Sequence, residues 1–333
     1  MRFERCPAEA GPPERWTASN ETAGVSATVV PAAGMNLASL VVGGEDRLVL
    51  PLPLGEFMAT AKTGGVPLLH PWANRLRGDV WSFDGTDVDL APIAGLKRDA
   101  AGLPMHGLLL RATDWSIEAA ADRPSIVGRL DWGSDRPDFA AFPFEHVVEV
   151  DWSIGVERQG VISATCGFAV EAGSRDVPIA GGWHPYLRPT IGADRRTLTL
   201  KVPKARQASL DERGLPEPGD DGRPTLGPEH DVSGPLGDRT LDDLFLVGDT
   251  GWTASVASVA ASIEIEADRA WRWMQLYAPA GSDFVCVEPM LAPTAALSDG
   301  GAVRVAAGSR FEASFTIRVR VAAVADGGSE AGA

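Results

Sequence analysis

Cysteine is scarce in this 333-residue chain: Cys6, Cys166 and Cys286 are odd in number, far apart and without Cys-x-x-Cys spacing. That excludes a disulfide framework and the usual structural zinc site, and it fits a reducing compartment. Basic side chains are also short: 30 Lys and Arg stand against 45 Asp and Glu, for a formal net charge of −15. An acidic chain gains no counterion release on DNA or RNA, and anionic membranes repel it. Nucleic acid and membrane are therefore not expected partners, and a neutral substrate fits better than a polyanion. The opening Met1-Arg2-Phe3-Glu4-Arg5-Cys6-Pro7 has no apolar signal core, and no later run is long enough to span a bilayer. A cytoplasmic location is expected. GxSxG, HExxH, a Walker A loop and a strand-borne GxGxxG are all missing, so nucleotide cofactors and zinc hydrolysis lose their usual markers.

What is present is strand pattern. Hydrophobic residues make up 44% of the chain, enough for a large core. In Phe144 to Ile154, the residues Phe144, His146, Val148, Val150, Trp152 and Ile154 alternate with Glu145, Glu149, Asp151 and Ser153. In Phe311 to Val321, the residues Phe311, Ala313, Phe315, Ile317, Val319 and Val321 alternate with polar ones. Leu198, Leu200 and Val202 repeat this period of two, as do Ile263 and Ile265. Asp84-Gly85 between two short strand runs reads as a hairpin turn. Amphipathic helices are scarce. The expectation is an all-β fold, a large antiparallel sandwich or barrel in one domain over 1–333. Residues 205–238, rich in Pro, Gly, Asp and Glu, read as an irregular excursion, and 325–333 as a frayed tail.

The candidate chemistry lies in polar residues set among aromatics, Pro and Gly. His184, in Gly182-Trp183-His184-Pro185-Tyr186, sits in a fixed turn, where loops on a rigid scaffold carry function. The alternative is a loop histidine bonded to a backbone carbonyl. Glu288 ends the apolar run Val285-Cys286-Val287, where a carboxylate is expensive unless paired or used. The alternative is an edge glutamate on a backbone amide. His106 is a second loop histidine, and Asn74-Arg75 sets an amide and a guanidinium beside Trp72. Asp242 and Asp243 precede Leu244-Phe245. His146 reads as a core histidine, His230 as exposed and His70 as support for the Asn74-Arg75 loop.

These pieces fall in a known order. Asn74-Arg75-Leu76, Trp81-Ser82-Phe83-Asp84-Gly85, Met105-His106-Gly107, Trp183-His184-Pro185-Tyr186, Asp242-Asp243-Leu244-Phe245 and Glu288 with Pro293 together resemble the aldose 1-epimerase (galactose mutarotase) family, over roughly residues 25 to 322. The resemblance implies a galactose mutarotase-like supersandwich and an isomerase of carbohydrate metabolism that needs no cofactor and no metal. It implies catalytic roles for His184 as general acid, Glu288 as general base and His106 as hydrogen-bond donor to the ring oxygen or a nearby hydroxyl. Substrate contacts would come from Arg75, Asn74, Asp242, Trp183 and Tyr186. Asp242 is chosen over Asp243 because the family pattern puts the aspartate three residues before the phenylalanine. The acid and base are expected to face one cleft, with room for a sugar ring between them.

Three positions depart from the family pattern: Pro289-Met290 replaces x-Gln, Thr294 replaces an aspartate, and Trp183 replaces an asparagine. They bear on which sugar is bound and leave the acid and base in place. The competing readings are an epimerase of a phosphorylated sugar, for which Lys97-Arg98 would supply charge, and a non-catalytic sugar-binding protein. A glycosidase would usually want two carboxylates.

Overall fold

A computed structural model describes residues 1–9 and 11–322 of the chain. The tail 325–333 lies outside the described residues. Strands occupy 47% of the chain and helix 4%, in antiparallel sheets, as the alternating patterns require. A nine-stranded sheet has at its centre three long strands, His146–Arg158, Val161–Ala172 and Arg310–Val321. An eight-stranded sheet carries Leu241–Leu246, Trp273–Ala278 and Val285–Met290 side by side. A five-stranded sheet built from Phe3–Cys6 to Glu45–Asp46 completes the body.

Period-two burial follows from the strand pleat. In His146–Arg158, residues His146, Val148, Val150, Trp152 and Ile154 are buried and their neighbours are not. Ala313, Phe315, Ile317 and Val319 do the same in Arg310–Val321. The two large sheets meet through aromatics: Trp183 of the eight-stranded sheet lies 5.6 Å from Trp152 and 5.7 Å from Phe315 of the other, centroid to centroid. At the expected hairpin, Val80–Phe83 pairs with Thr86–Asp89. Asp84 (φ 46°) and Gly85 (φ 73°) are both left-handed there, as a type I′ turn demands.

Residues 205–238 are less irregular than expected. Ala205–Ala208 and Leu226–His230 pair with each other as the last two strands of the eight-stranded sheet, with Leu226–His230 at its edge. Gly234–Pro235 closes one edge of the nine-stranded sheet. Edge strands pair through backbone alone, so they need no alternating apolar face. His230 is accordingly half-buried, its ring 6.1 Å from Phe245, and not exposed.

His146 is the core histidine its apolar face implies. Its Nδ1 lies 2.7 Å from the Phe144 carbonyl and its Nε2 lies 2.9 Å from Nε2 of His70. A carbonyl only accepts, so Nδ1 of His146 carries the proton, its Nε2 accepts, and His70 Nε2–H donates. Both rings are neutral in that arrangement. Burial pushes the pKa of His146 down to about 4 and that of His70 down as well. The His70 carbonyl in turn accepts from Leu108 N at 2.7 Å, which ties the pair to the loop bearing His106.

Burial also holds His106 and His184 below the ordinary histidine pKa. The unfolded chain therefore binds more protons at these four sites as pH falls through 6.5, and the folded state loses stability. Glu288, whose pKa burial raises, works with the opposite sign but is one group against four. Between pH 7 and 5.5 each histidine should cost about 1 kcal/mol. Urea titrations at the two pH values should show a net loss of unfolding free energy toward pH 5.5; equal stability would contradict the buried neutral histidines.

Candidate active site

One face of the eight-stranded sheet collects the polar residues. Its register sets Asp242 opposite Tyr277, and Gln275 opposite Glu288. Alternation then puts Asp242, Gln275, Tyr277 and Glu288 on one side and Asp243, Phe245, Leu276 and Val287 on the other. Asp242 accepts from Gln275 Nε2 at 2.7 Å, whereas Asp243 accepts from Gln207 at 2.8 Å. The choice between the two aspartates thus falls on Asp242 by geometry as well.

His184 reaches this face from a break in the strand beside Glu288. Gly182–Trp183 and Tyr186–Leu187 both pair with Val285–Met290, and Pro185 interrupts the ladder between them. Gly182 has no alternative: a Cβ there would lie 2.8 Å from the Pro289 carbonyl oxygen. The His184 ring lies flat on Tyr186, centroids 4.5 Å apart and planes at 7°, while the Tyr186 hydroxyl is 2.6 Å from Thr63 Oγ1. Tyr186 therefore supports the histidine. His106 stands edge-on to the same ring at 5.6 Å.

His184 Nε2 is 3.3 Å from Glu288 Oε1, and both side chains are buried. The expected sugar-wide gap between them is absent: neighbouring positions on the sheet set the two side chains side by side. Burial lowers the His184 pKa to about 3 and raises that of Glu288, with Asp242 adding to the rise. His184 Nδ1, His106 Nδ1, Gln275 Oε1 and Glu288 Oε2 are buried with no partner among the described residues.

Arg75 and Asn74 come from the loop after Leu68–Leu69. Arg75 Nε donates to Asp99 at 2.7 Å. Asn74 (φ 50°), His106 (φ 65°) and Ala295 (φ 65°) are non-glycine residues in the left-handed region, a strain that gathers at functional sites. They are tied together: His106 N donates to Asn74 O at 2.8 Å and Ala295 N to Arg75 O at 2.9 Å. The Asn74 amide points at Met290 Sδ, 3.7 Å away. Of Lys97-Arg98, Lys97 acts electrostatically on both His106 and His184, and Arg98 turns away to Asp79.

Trp183 does not join the cleft. It is fully buried against Trp152 and Phe315, because the residue before His184 on a strand points to the opposite side of the sheet. Gln275, Tyr277 and Asp99 escaped the sequence reading. The signal for the first two was there: Trp273-Met274-Gln275-Leu276-Tyr277 places a lone amide and a phenol on one strand face.

The family model described as aldose 1-epimerase matches residues 14–318. A galactose mutarotase-like protein of Clostridium acetobutylicum superposes with a TM-score of 0.75 at 14% identity, over 96% of this chain and 98% of that one. A Synechocystis protein gives a TM-score of 0.73 at 19% identity, over 95% and 100% of the two chains. An aldose epimerase homologue from C. elegans gives 0.68 at 16%, over 92% and 98%. At these identities the likeness is one of fold. No curated protein matches the sequence.

The loop geometry makes one substitution diagnostic. Gly107 has φ +69°, and a Cβ on it would lie 2.2 Å from the His70 carbonyl oxygen. Gly107→Ala meets backbone, so relaxation must move the His106 loop. It should cost more than about 2 kcal/mol in urea unfolding; a neutral result would show that this loop is not held against His70.

Proposed function

We propose, from the premise that the chain belongs to the aldose 1-epimerase family, that it interconverts the α and β anomers of a free aldose. The observation that carries this reading is the buried His184–Glu288 contact at 3.3 Å, on a face shared with Asp242, Gln275 and Tyr277. Ring opening needs one proton delivered to the ring oxygen and one removed from the anomeric hydroxyl. Both oxygens are bonded to C1, so an acid and a base lying side by side serve both.

In the opening step the pair's single proton, held at rest by Glu288, crosses the 3.3 Å contact to His184, which gives it to the ring oxygen. The Glu288 carboxylate takes the anomeric hydroxyl proton. The C1–O5 bond breaks with its electron pair on O5, and O1 becomes the carbonyl oxygen. Rotation about C1–C2 presents the other carbonyl face. Closure then reverses each transfer, with Glu288 returning a proton to O1 and His184 taking one from O5. The pair carries one exchangeable proton throughout and changes only its place. Its net charge stays zero, which suits a site where burying an uncompensated charge is costly.

His106 and Arg75 are the residues we assign to hydroxyl contacts. Asp242 is a third, held in place by Gln275. Asn74 contributes its carbonyl to the His106 loop, and Tyr186 orients His184. Lys97 and Arg75 are the positive charges acting on the histidines, and Arg75 is already paired with Asp99, so a free sugar is favoured over a phosphorylated one.

Polarimetry on freshly dissolved α-anomers of several aldoses tests this. His184→Ala and Glu288→Gln should each lower kcat by about 10²–10⁴-fold. No acceleration by the wild-type protein on any aldose would sink the proposal, and binding without acceleration would favour a sugar-binding role. The pH profile is a second test. The active form persists from the low His184 pKa, about 3, up to the raised Glu288 pKa. The rate, corrected for spontaneous mutarotation, should therefore pass through pH 6.5 without inflection; half-titration there would mean that His184 behaves as an ordinary exposed histidine.

A further inference from the structure

The same sheet face carries a second cavity that the proposed reaction does not use. It measures about 740 Å³, within the range of small-molecule sites. Trp273 forms part of its wall with Leu226, Leu246 and Pro293, and Arg206, Arg223 and Arg272 line it. Trp273 is two residues from Gln275 on one strand, about 7 Å along it. The buried cluster of Leu69, Ala73, Leu244 and Met290 packs with Trp273 and fills the face toward Glu288, so this is a separate compartment.

Its electrostatics run against those of the chain. The chain has net charge −15, yet three arginines line this cavity. Of the two aspartates in the wall, Asp299 is already held by Arg77 at 2.6 Å, and Asp221 is 3.9 Å from Arg223. Arg206 spends its donors on the Gly227 and Leu226 carbonyls. Arg272 has no side-chain hydrogen bond or ion pair among the described residues. A guanidinium without a protein partner and an indole in the wall of one cavity match an anionic head on a ring-shaped body.

We infer that this cavity binds a small organic anion, a phosphate or carboxylate head carried on a sugar-sized ring, at a site distinct from the His184–Glu288 centre. Arg272 and Arg223 hold the head, and the Trp273 wall takes the ring. The inference does not depend on the mutarotase reading.

Isothermal calorimetry on the whole chain tests it, with glucose 6-phosphate and glucuronate as the two anions and glucose and inorganic phosphate as controls. The variants are Arg272→Gln and the double variant Arg272→Gln/Arg223→Gln. At least one of the two anions should bind in low salt and weaken as salt rises, and Arg272→Gln should weaken it tenfold or more. Phosphate as head is indicated if only glucose 6-phosphate responds, carboxylate if only glucuronate does. Mutarotation by the variants should equal that of wild type, which separates this site from the catalytic one. The inference is overturned if neither anion binds, or if binding is unchanged in the double variant, which would place the anion in the catalytic cleft.

Discussion

The site depends on one contact, the 3.3 Å approach of His184 Nε2 to Glu288 Oε1 out of water. Either group alone would be an expensive tenant: an ionised carboxylate in a dry site costs several kcal/mol, about the effective penalty for one buried ion. Together they hold one proton between them, and the pair is neutral wherever that proton sits. The rest of the local architecture serves to keep them adjacent. Val285–Met290 supplies Glu288, the interrupted strand beside it supplies His184, and Tyr186 fixes the imidazole plane. Trp183, anchored between the two sheets, sets the point at which the chain turns back toward the site.

Much of this was legible in the sequence because a strand writes its orientation into alternate residues. The buried faces of His146–Arg158 and Arg310–Val321 follow directly from their apolar periodicity. The last two strands, Ala205–Ala208 and the edge strand Leu226–His230, were not legible, since their pairing uses backbone groups that every composition carries. The site residues split along the same line. Motif order singled out His184, Glu288, His106, Arg75 and Asp242 as candidates. Gln275 and Tyr277 belong to the site only through register with strands distant in sequence, which no local pattern encodes. Trp183 shows the converse: adjacency in sequence to His184 means the opposite side of the sheet.

Burial and a depressed pKa do not by themselves distinguish His184 from a core histidine. His146 and His184 are both buried and both driven below the ordinary value. The difference lies in what their nitrogens meet. Both nitrogens of His146 are satisfied, by Phe144 O and His70. At His184 the Nδ1 is orphaned, and so, close by, are His106 Nδ1, Gln275 Oε1 and Glu288 Oε2. Each unpaired buried polar atom costs about 1–3 kcal/mol. Elsewhere among the described residues such atoms include His70 Nδ1 and several indole nitrogens. At this face four lie on neighbouring residues, close to three left-handed non-glycine positions. A ligand rich in hydroxyls, each both donor and acceptor, is the chemistry that would satisfy that set. That clustering, beside the His184–Glu288 contact, supports the proposal of a hydroxyl-rich substrate at this face.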